Sequence, residues 1–147
     1  MVATLLLCRC NLWWFMFKSC NIWSGSSDGL SAALTNCTEL AFKKGKLKNH
    51  YPIVDKNGVV FPDAETAYKL HKTGDIVKDR AIMIRIIAAK LRQYPRLTHH
   101  ITARGGIEWL QTCSHIVGVK GSRWEGVGTE SNFISCLIAA YEVVVDE

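Results

Sequence analysis

The segment Phe61-Pro62-Asp63-Ala64-Glu65-Thr66-Ala67-Tyr68-Lys69-Leu70-His71-Lys72 holds the densest set of reactive side chains in the sequence. Asp63 stands where a helix would be capped, and Glu65 falls in its first turn. Tyr68, Lys69 and Lys72 follow Glu65 by three, four and seven residues, which lines the four side chains along one side of a helix. A carboxylate beside two ammonium groups is either a surface ion-pair ladder or a site. A ladder of exposed pairs contributes only ~0.3–0.5 kcal/mol per pair.

A second constellation is Ser122-Arg123-Trp124-Glu125-Gly126-Val127-Gly128-Thr129-Glu130-Ser131-Asn132. Glycines follow an aromatic residue and precede a helix start, where free backbone amides hold anions and Trp124 can stack on a planar ring. The alternative is that Ser131 or Asn132 merely caps the helix. The segment lacks the lysine and spacing of a Walker loop and does not read G-x-G-x-x-G. The histidines offer less. His99 and His100 are adjacent and diverge on a helix, while His71 and His115 are isolated. With no H-E-x-x-H and no G-x-S-x-G, a metal enzyme and a serine hydrolase are disfavoured. No metal or cofactor is expected.

The elements that must position these groups follow from periodicity and punctuation. Ile22 to Thr38, rich in Ser, Gly, Asn and Thr, reads as a loop with one short strand. Lys43 to Lys48 is a solvated basic turn or a phosphate-facing loop. Asn57-Gly58 between apolar runs predicts a two-stranded ribbon from Tyr51–Val54 and Val59–Phe61. A helix opens at Pro62–Glu65 and ends at about Lys72, before Gly74. The next starts at Asp75 and runs through Gln93, with Ile76, Ile82, Ile86 and Ala89 on its apolar side. Pro95 opens a third, from Arg96 to Ala103. Ile107 to His115 makes a fourth after Gly105-Gly106. Val117 to Val127 is a glycine-bearing loop with a possible strand, and Asn132 to Val143 is a helix apolar on most sides. The expected fold is α+β, a predominantly helical single domain with a small strand element.

Composition agrees. The 147 residues are 48% hydrophobic and 21% charged, which excludes disorder and low-complexity architecture. A net charge of +5 permits a phosphate-bearing ligand, but no basic stripe of the DNA-binding kind extends beyond Lys43–Lys48. No C-x-x-C occurs, so a zinc ribbon is not expected, and the body cysteines Cys37, Cys113 and Cys136 read as reduced, mostly buried residues of a cytoplasmic protein. Residues 1–16 differ from the rest: thirteen of the sixteen are apolar, too few for a bilayer span of ~20, and Arg9 interrupts them. The expectation is an over-long start with Met16 as initiator, no stable membrane partner, and one domain over residues 17–147.

Taken in order, these pieces resemble the NADAR (YbiA-like) superfamily from about Phe17 to Tyr141. The resemblance rests on Phe61-Pro62-Asp63-Ala64-Glu65 with Lys72, on Lys90-Leu91, on Trp109-Leu110-Gln111, on Trp124-Glu125-Gly126-Val127-Gly128, and on Asn132 with Ile134. Leu34-Thr35-Asn36 corresponds to the early family loop. Lys69 stands where the family has glutamine, Gln111 where it has an acid, and Glu125 and Ser135 where it has glycines. The resemblance implies a YbiA-like fold and an N-glycosidase that cleaves a ribose-to-base C–N bond. Its substrate would be a phosphorylated riboflavin-pathway intermediate or an ADP-ribosylated nucleobase. It further implies Glu65 and Lys72 as catalytic groups and Asp63, Lys69, Trp124, Gly126, Gly128 and Asn132 as substrate-binding residues. The role of Glu65 would be to stabilise the ribosyl cation or activate a water, with Lys72 or Lys69 binding phosphate or tuning Glu65. Two other readings stay open: a non-catalytic module for ADP-ribose or a nucleotide-like ligand, and a small helical interaction protein.

Overall fold

The structure, a computed structural model, describes residues 18–147, so the apolar N-terminal segment lies outside the described residues. The chain forms a mostly helical domain with two small antiparallel sheets, broadly α+β. The helices are α1 (Gly29–Leu34), α2 (Thr38–Lys43), α3 (Ala64–His71), α4 (Ile76–Gln93), α5 (Pro95–Arg104), α6 (Ile107–Thr112) and α7 (Asn132–Val145). Strands β1 (Ile53–Val54) and β2 (Val60–Phe61) pair Ile53 with Phe61. Strands β3 (Ser114–His115) and β4 (Gly126–Val127) pair Ser114 with Val127. A 3-10 turn, Gly128–Glu130, leads into α7.

Most boundaries arise from the residues that announce them. Asp63 Oδ1 accepts from Thr66 N at 2.9 Å to cap α3, Asp75 Oδ1 accepts from Val77 N and Lys78 N to cap α4, and Ser131 Oγ accepts from Ile134 N to cap α7. Such caps supply partners for amides that have none within the helix. Gly58, at φ +80°, closes the ribbon in the left-handed conformation that the Asn-Gly pair predicts.

The core lies mainly between α4 and α7, which run against each other. Along α4 the buried stripe is Met83, Ile87 and Leu91, at steps of four. The expected apolar side, Ile76, Ile82, Ile86 and Ala89, is only half-buried. The displacement has a physical reason: Asp79 and Lys90 share the buried side, and two charged residues there mask its periodicity. From α7, Phe133, Ile134, Leu137 and Tyr141 complete the core. Each fully buried side chain of this size contributes roughly 1.5–3 kcal/mol of transfer free energy.

Two further expectations are corrected. The segment read as a loop over Ile22–Thr38 contains α1, capped by Asp28, and ends as α2 begins. The helix expected over Ile107–His115 stops at Thr112, because Ser114 and His115 pair with β4 and Asn21 bridges to Ser114.

Candidate functional site

A pocket of about 370 Å³ opens where the start of α3, the turn between α1 and α2, the segment around Trp23 and the loop 116–125 meet. Of the residues expected to be catalytic or to bind substrate, Glu65 and Trp124 line it together. The α3 start is bound to the turn in both directions. Glu65 N donates to Asn36 O at 3.1 Å, and Asp63 Oδ2 accepts from Glu39 N at 3.2 Å. Glu65 is thereby set beside Asn36 and Cys37, which also line the pocket.

Burial raises the Glu65 carboxyl above its ordinary value of 4.5. Lys69 opposes that rise, the charge of Asp63 adds to it, and the Cys37 thiol and Lys72 oppose it weakly. Lys69 Nζ stands 3.9 Å from Glu65 Oε1, a loose contact from a largely exposed side chain. Cys37 is half-buried at the pocket wall rather than in the core. Burial first, then the charges of Glu65 and Asp63, push its thiol up to about 11, so it is a neutral donor rather than a nucleophile. Asn36 is buried, its Nδ2 faces Met83 Sδ, and its Oδ1 has no partner among the described residues. A buried acceptor without a donor costs about 1–3 kcal/mol.

The opposite wall is aromatic. Trp124 packs edge-on against Tyr68 with ring centroids 5.5 Å apart. Trp23 adds a second indole, with Lys44 Nζ 5.1 Å from its ring centroid and bonded to Ser24 Oγ at 2.8 Å. Gly25 makes room for that indole, since a Cβ there would fall 2.6 Å from the ring. His115 also lines the pocket. Its Nδ1 donates to Ile22 O at 2.7 Å, and burial lowers its pKa, so the ring is neutral with Nε2 as an acceptor.

The remaining predicted residues lie elsewhere. Asp63 is buried with its oxygens engaged by Thr66 and Glu39, so it positions Glu65 rather than meeting a ligand. Lys72 is exposed at the end of α3, and neither Lys72 nor Lys69 lines the pocket. Asn132 Nδ2 donates to Arg123 O at 2.6 Å, which fixes the loop next to Trp124. Gly126 pairs with His115 across β3–β4, and Gly128 N donates to Cys113 O at 2.8 Å. The amides expected to hold an anion are thus committed: Phe133 N and Ile134 N go to Trp124 O and Ser131 Oγ. Both glycines are required for packing. A Cβ on Gly126 would lie 2.9 Å from Ser131 N, and one on Gly128 2.6 Å from Gln111 O.

Glu125 and Ser135 have structural roles. Glu125 Oε1 accepts from Val117, Gly118 and Val119 N at 2.5, 2.7 and 3.2 Å, which folds the loop 116–125 over the pocket. Ser135 Oγ accepts from Arg80 at 2.9 Å. The Gln111 side chain is exposed and away from the pocket.

Trp23, Cys37 and His115 carry no motif signal, because they reach the pocket from segments remote in sequence. A tryptophan in the polar run Ser24-Gly25-Ser26-Ser27 was the one local sign. Among the described residues, no three His, Cys, Asp or Glu side chains gather as a metal site, and no helix is long and apolar enough to cross a membrane. Compared with known proteins, no family model, no curated protein and no solved structure matches the chain.

Proposed function

We propose that the chain is a NADAR-like hydrolase of an N-glycosidic bond in a phosphorylated ribosyl compound, either a riboflavin-pathway ribosylamine phosphate or an ADP-ribosylated base. The observation that carries this reading is the pocket that joins Glu65, Trp124 and Asn36. Breaking the C1′–N bond builds positive charge on the ribose. A carboxylate close to C1′ stabilises that charge, and one raised in pKa is a better acceptor of a proton from water. The water oxygen bonds to C1′, its proton passes to Glu65, the C1′–N electron pair leaves with the base, and a proton is returned to the departing nitrogen. Trp124 would stack on the base, Asn36 would accept from a ribose hydroxyl, and Trp23 would close the other face.

Turnover is tested by offering ribosylamine phosphates and ADP-ribosylated guanine nucleic acid to purified protein and detecting ribose phosphate or ADP-ribose by mass spectrometry. The expected result is release that falls at least ~100-fold in Glu65→Gln. The second reading, a binding module, is favoured by one observation: Lys72, Asn132, Gly126 and Gly128 stand outside the pocket. Binding without release by the wild-type chain would support that reading.

A further inference from the structure

Among the described residues, a cleft larger than the Glu65 pocket lies elsewhere. A cleft of about 660 Å³ lies between α5, the start of α1 and the segment 49–51, within the range of roughly 300–1,000 Å³ common for small-ligand sites. The two cavities share no lining residue. Ala33 lines one and Thr35 the other, and the buried Lys90 ammonium donates to the carbonyl of each.

Two guanidinium groups and one imidazole of α5 line the cleft. Arg96, His100 and Arg104 recur every four residues, so they stand in one row along the helix. The sole carboxylate in the lining is Asp28, and Arg104 engages both its oxygens at 2.6 and 2.8 Å. Ser31 N and Oγ bond to Asp28 Oδ2 as well, so that pair is internally satisfied. Arg96 is exposed and has no carboxylate partner among the described residues. The positive charge of Arg96, with the imidazole of His100 beside it, is therefore uncompensated. The exposed lysines 43, 46 and 48 precede the rim residue Asn49 along the chain.

The cleft also offers aromatic surface. Tyr51 and Tyr94 meet edge to face with centroids 5.0 Å apart. The Tyr94 hydroxyl is committed to Pro52 O at 2.6 Å, which fixes that ring. Lys90 Nζ lies 5.8 Å from the Tyr51 ring centroid. Fixed rings beside an uncompensated guanidinium suit a ligand that joins a planar body to a compact dianion.

We propose that this cleft is a second binding site, for a small phosphomonoester carrying a planar ring, of mononucleotide size. The phosphate meets Arg96 and His100, and the ring lies against Tyr51 and Tyr94. The site is independent of Glu65 and of any turnover in the other pocket.

The test is a titration of the full-length protein with AMP, with adenosine and with inorganic phosphate, followed by backbone amide NMR. AMP is expected to shift the amides of residues 49–51 and 94–100. Its dissociation constant is expected to rise at least ~10-fold in Arg96→Ala/His100→Ala, whose side chains are exposed, and to change less than ~2-fold in Trp124→Ala. Adenosine alone and phosphate alone should each bind at least ~10-fold more weakly than AMP. Absence of AMP binding, shifts confined to residues around Trp23, Asn36 and Glu65, or an affinity unchanged in the double variant would each overturn the proposal. Phosphate binding as tight as AMP would overturn it too, by removing the role of the rings.

Discussion

On the helical side of the Glu65 pocket most polar groups are buried and engaged, Asn36 Oδ1 and Thr38 Oγ1 excepted, whereas the tip of the 116–125 side is close to solvent and its amides 117–119 share one carboxylate. Lys90, Asp63 and Asp79 belong to the first side. Lys90 bridges the carbonyls of Ala33 and Thr35, Asp63 joins the α3 start to Glu39, and Asp79 accepts from Thr73 and Gly74. On the second side, Glu125 alone gathers three loop amides, and Ile116, Val117 and Val119 are exposed. The wall that places Glu65 is thus tied into the core, and on the other side Trp124 is anchored to α7 while the loop tip at 117–119 can reorganise without unfolding the core. Buried polar groups that are paired rigidify their surroundings, and a loop with few buried contacts opens locally at low cost.

The largest effect is expected at Lys90. Lys90→Met keeps the volume and strands two buried carbonyls, so stability should fall by about 2–3 kcal/mol, measured by urea denaturation. Burial lowers the Lys90 ammonium from 10.5 to about 7. The unfolded chain therefore binds more protons than the folded one between those values, so the stability of the wild type rises with pH over that window. Lys90→Met should lose that rise. A pH-dependent gain that survives the substitution would place its origin elsewhere.

Gly128 stands where the two walls join. It has φ +58° and would place a Cβ 2.6 Å from Gln111 O, so Gly128→Ala should cost about 2 kcal/mol. Thermal unfolding would show a lowered Tm, and an unchanged Tm would mean that the strand β4 junction yields easily. Glu125→Ala should act in the opposite manner. The Tm stays close to wild type while amide exchange at Val117, Gly118 and Val119 accelerates about tenfold. A large loss of Tm in this variant would erase the contrast between the walls.

The smallest effect concerns Asp28. Hydrogen bonding from Arg104 chiefly, aided by Ser31, holds its carboxyl well below the usual carboxylate range. A depressed folded-state pKa stabilises above the unfolded value of about 4 and loses that contribution as pH falls. Asp28→Asn should lower stability at pH 7 and flatten the decline between pH 4 and 2, read from acid titration of the far-UV signal.

Legibility in the sequence tracked how local the determining interaction is. Asp75, Ser131, Pro95 and the Asn57-Gly58 pair act on their immediate neighbours, and the elements they announce are present. Helix α1 escaped because it has six residues, five of them buried, so it shows no polar face to set against an apolar one. The Met83–Ile87–Leu91 stripe escaped because Asp79 and Lys90 lie beside it, Asp79 satisfied by the turn at Thr73 and Gly74 and Lys90 by carbonyls of a remote segment. In the site, Glu65 and Trp124 were legible through the motifs around them. Asn36 was legible only as part of the family loop, and Trp23 and His115 were not, since nothing near them in the sequence reports what they meet. The converse error has the same source. Asn132, Gly126 and Gly128 sit in a motif, yet they build the frame around Trp124 rather than the pocket surface.

The central claim is that the Glu65 pocket hydrolyses a ribosyl C–N bond, and hydrolysis of a suitable substrate in ¹⁸O-labelled water tests it most directly. The account predicts that wild-type protein releases ribose phosphate or ADP-ribose carrying a single solvent oxygen at C1, and that Glu65→Gln, still folded, releases almost none. Equal release and labelling by the two proteins, or no release by the wild type, would contradict it.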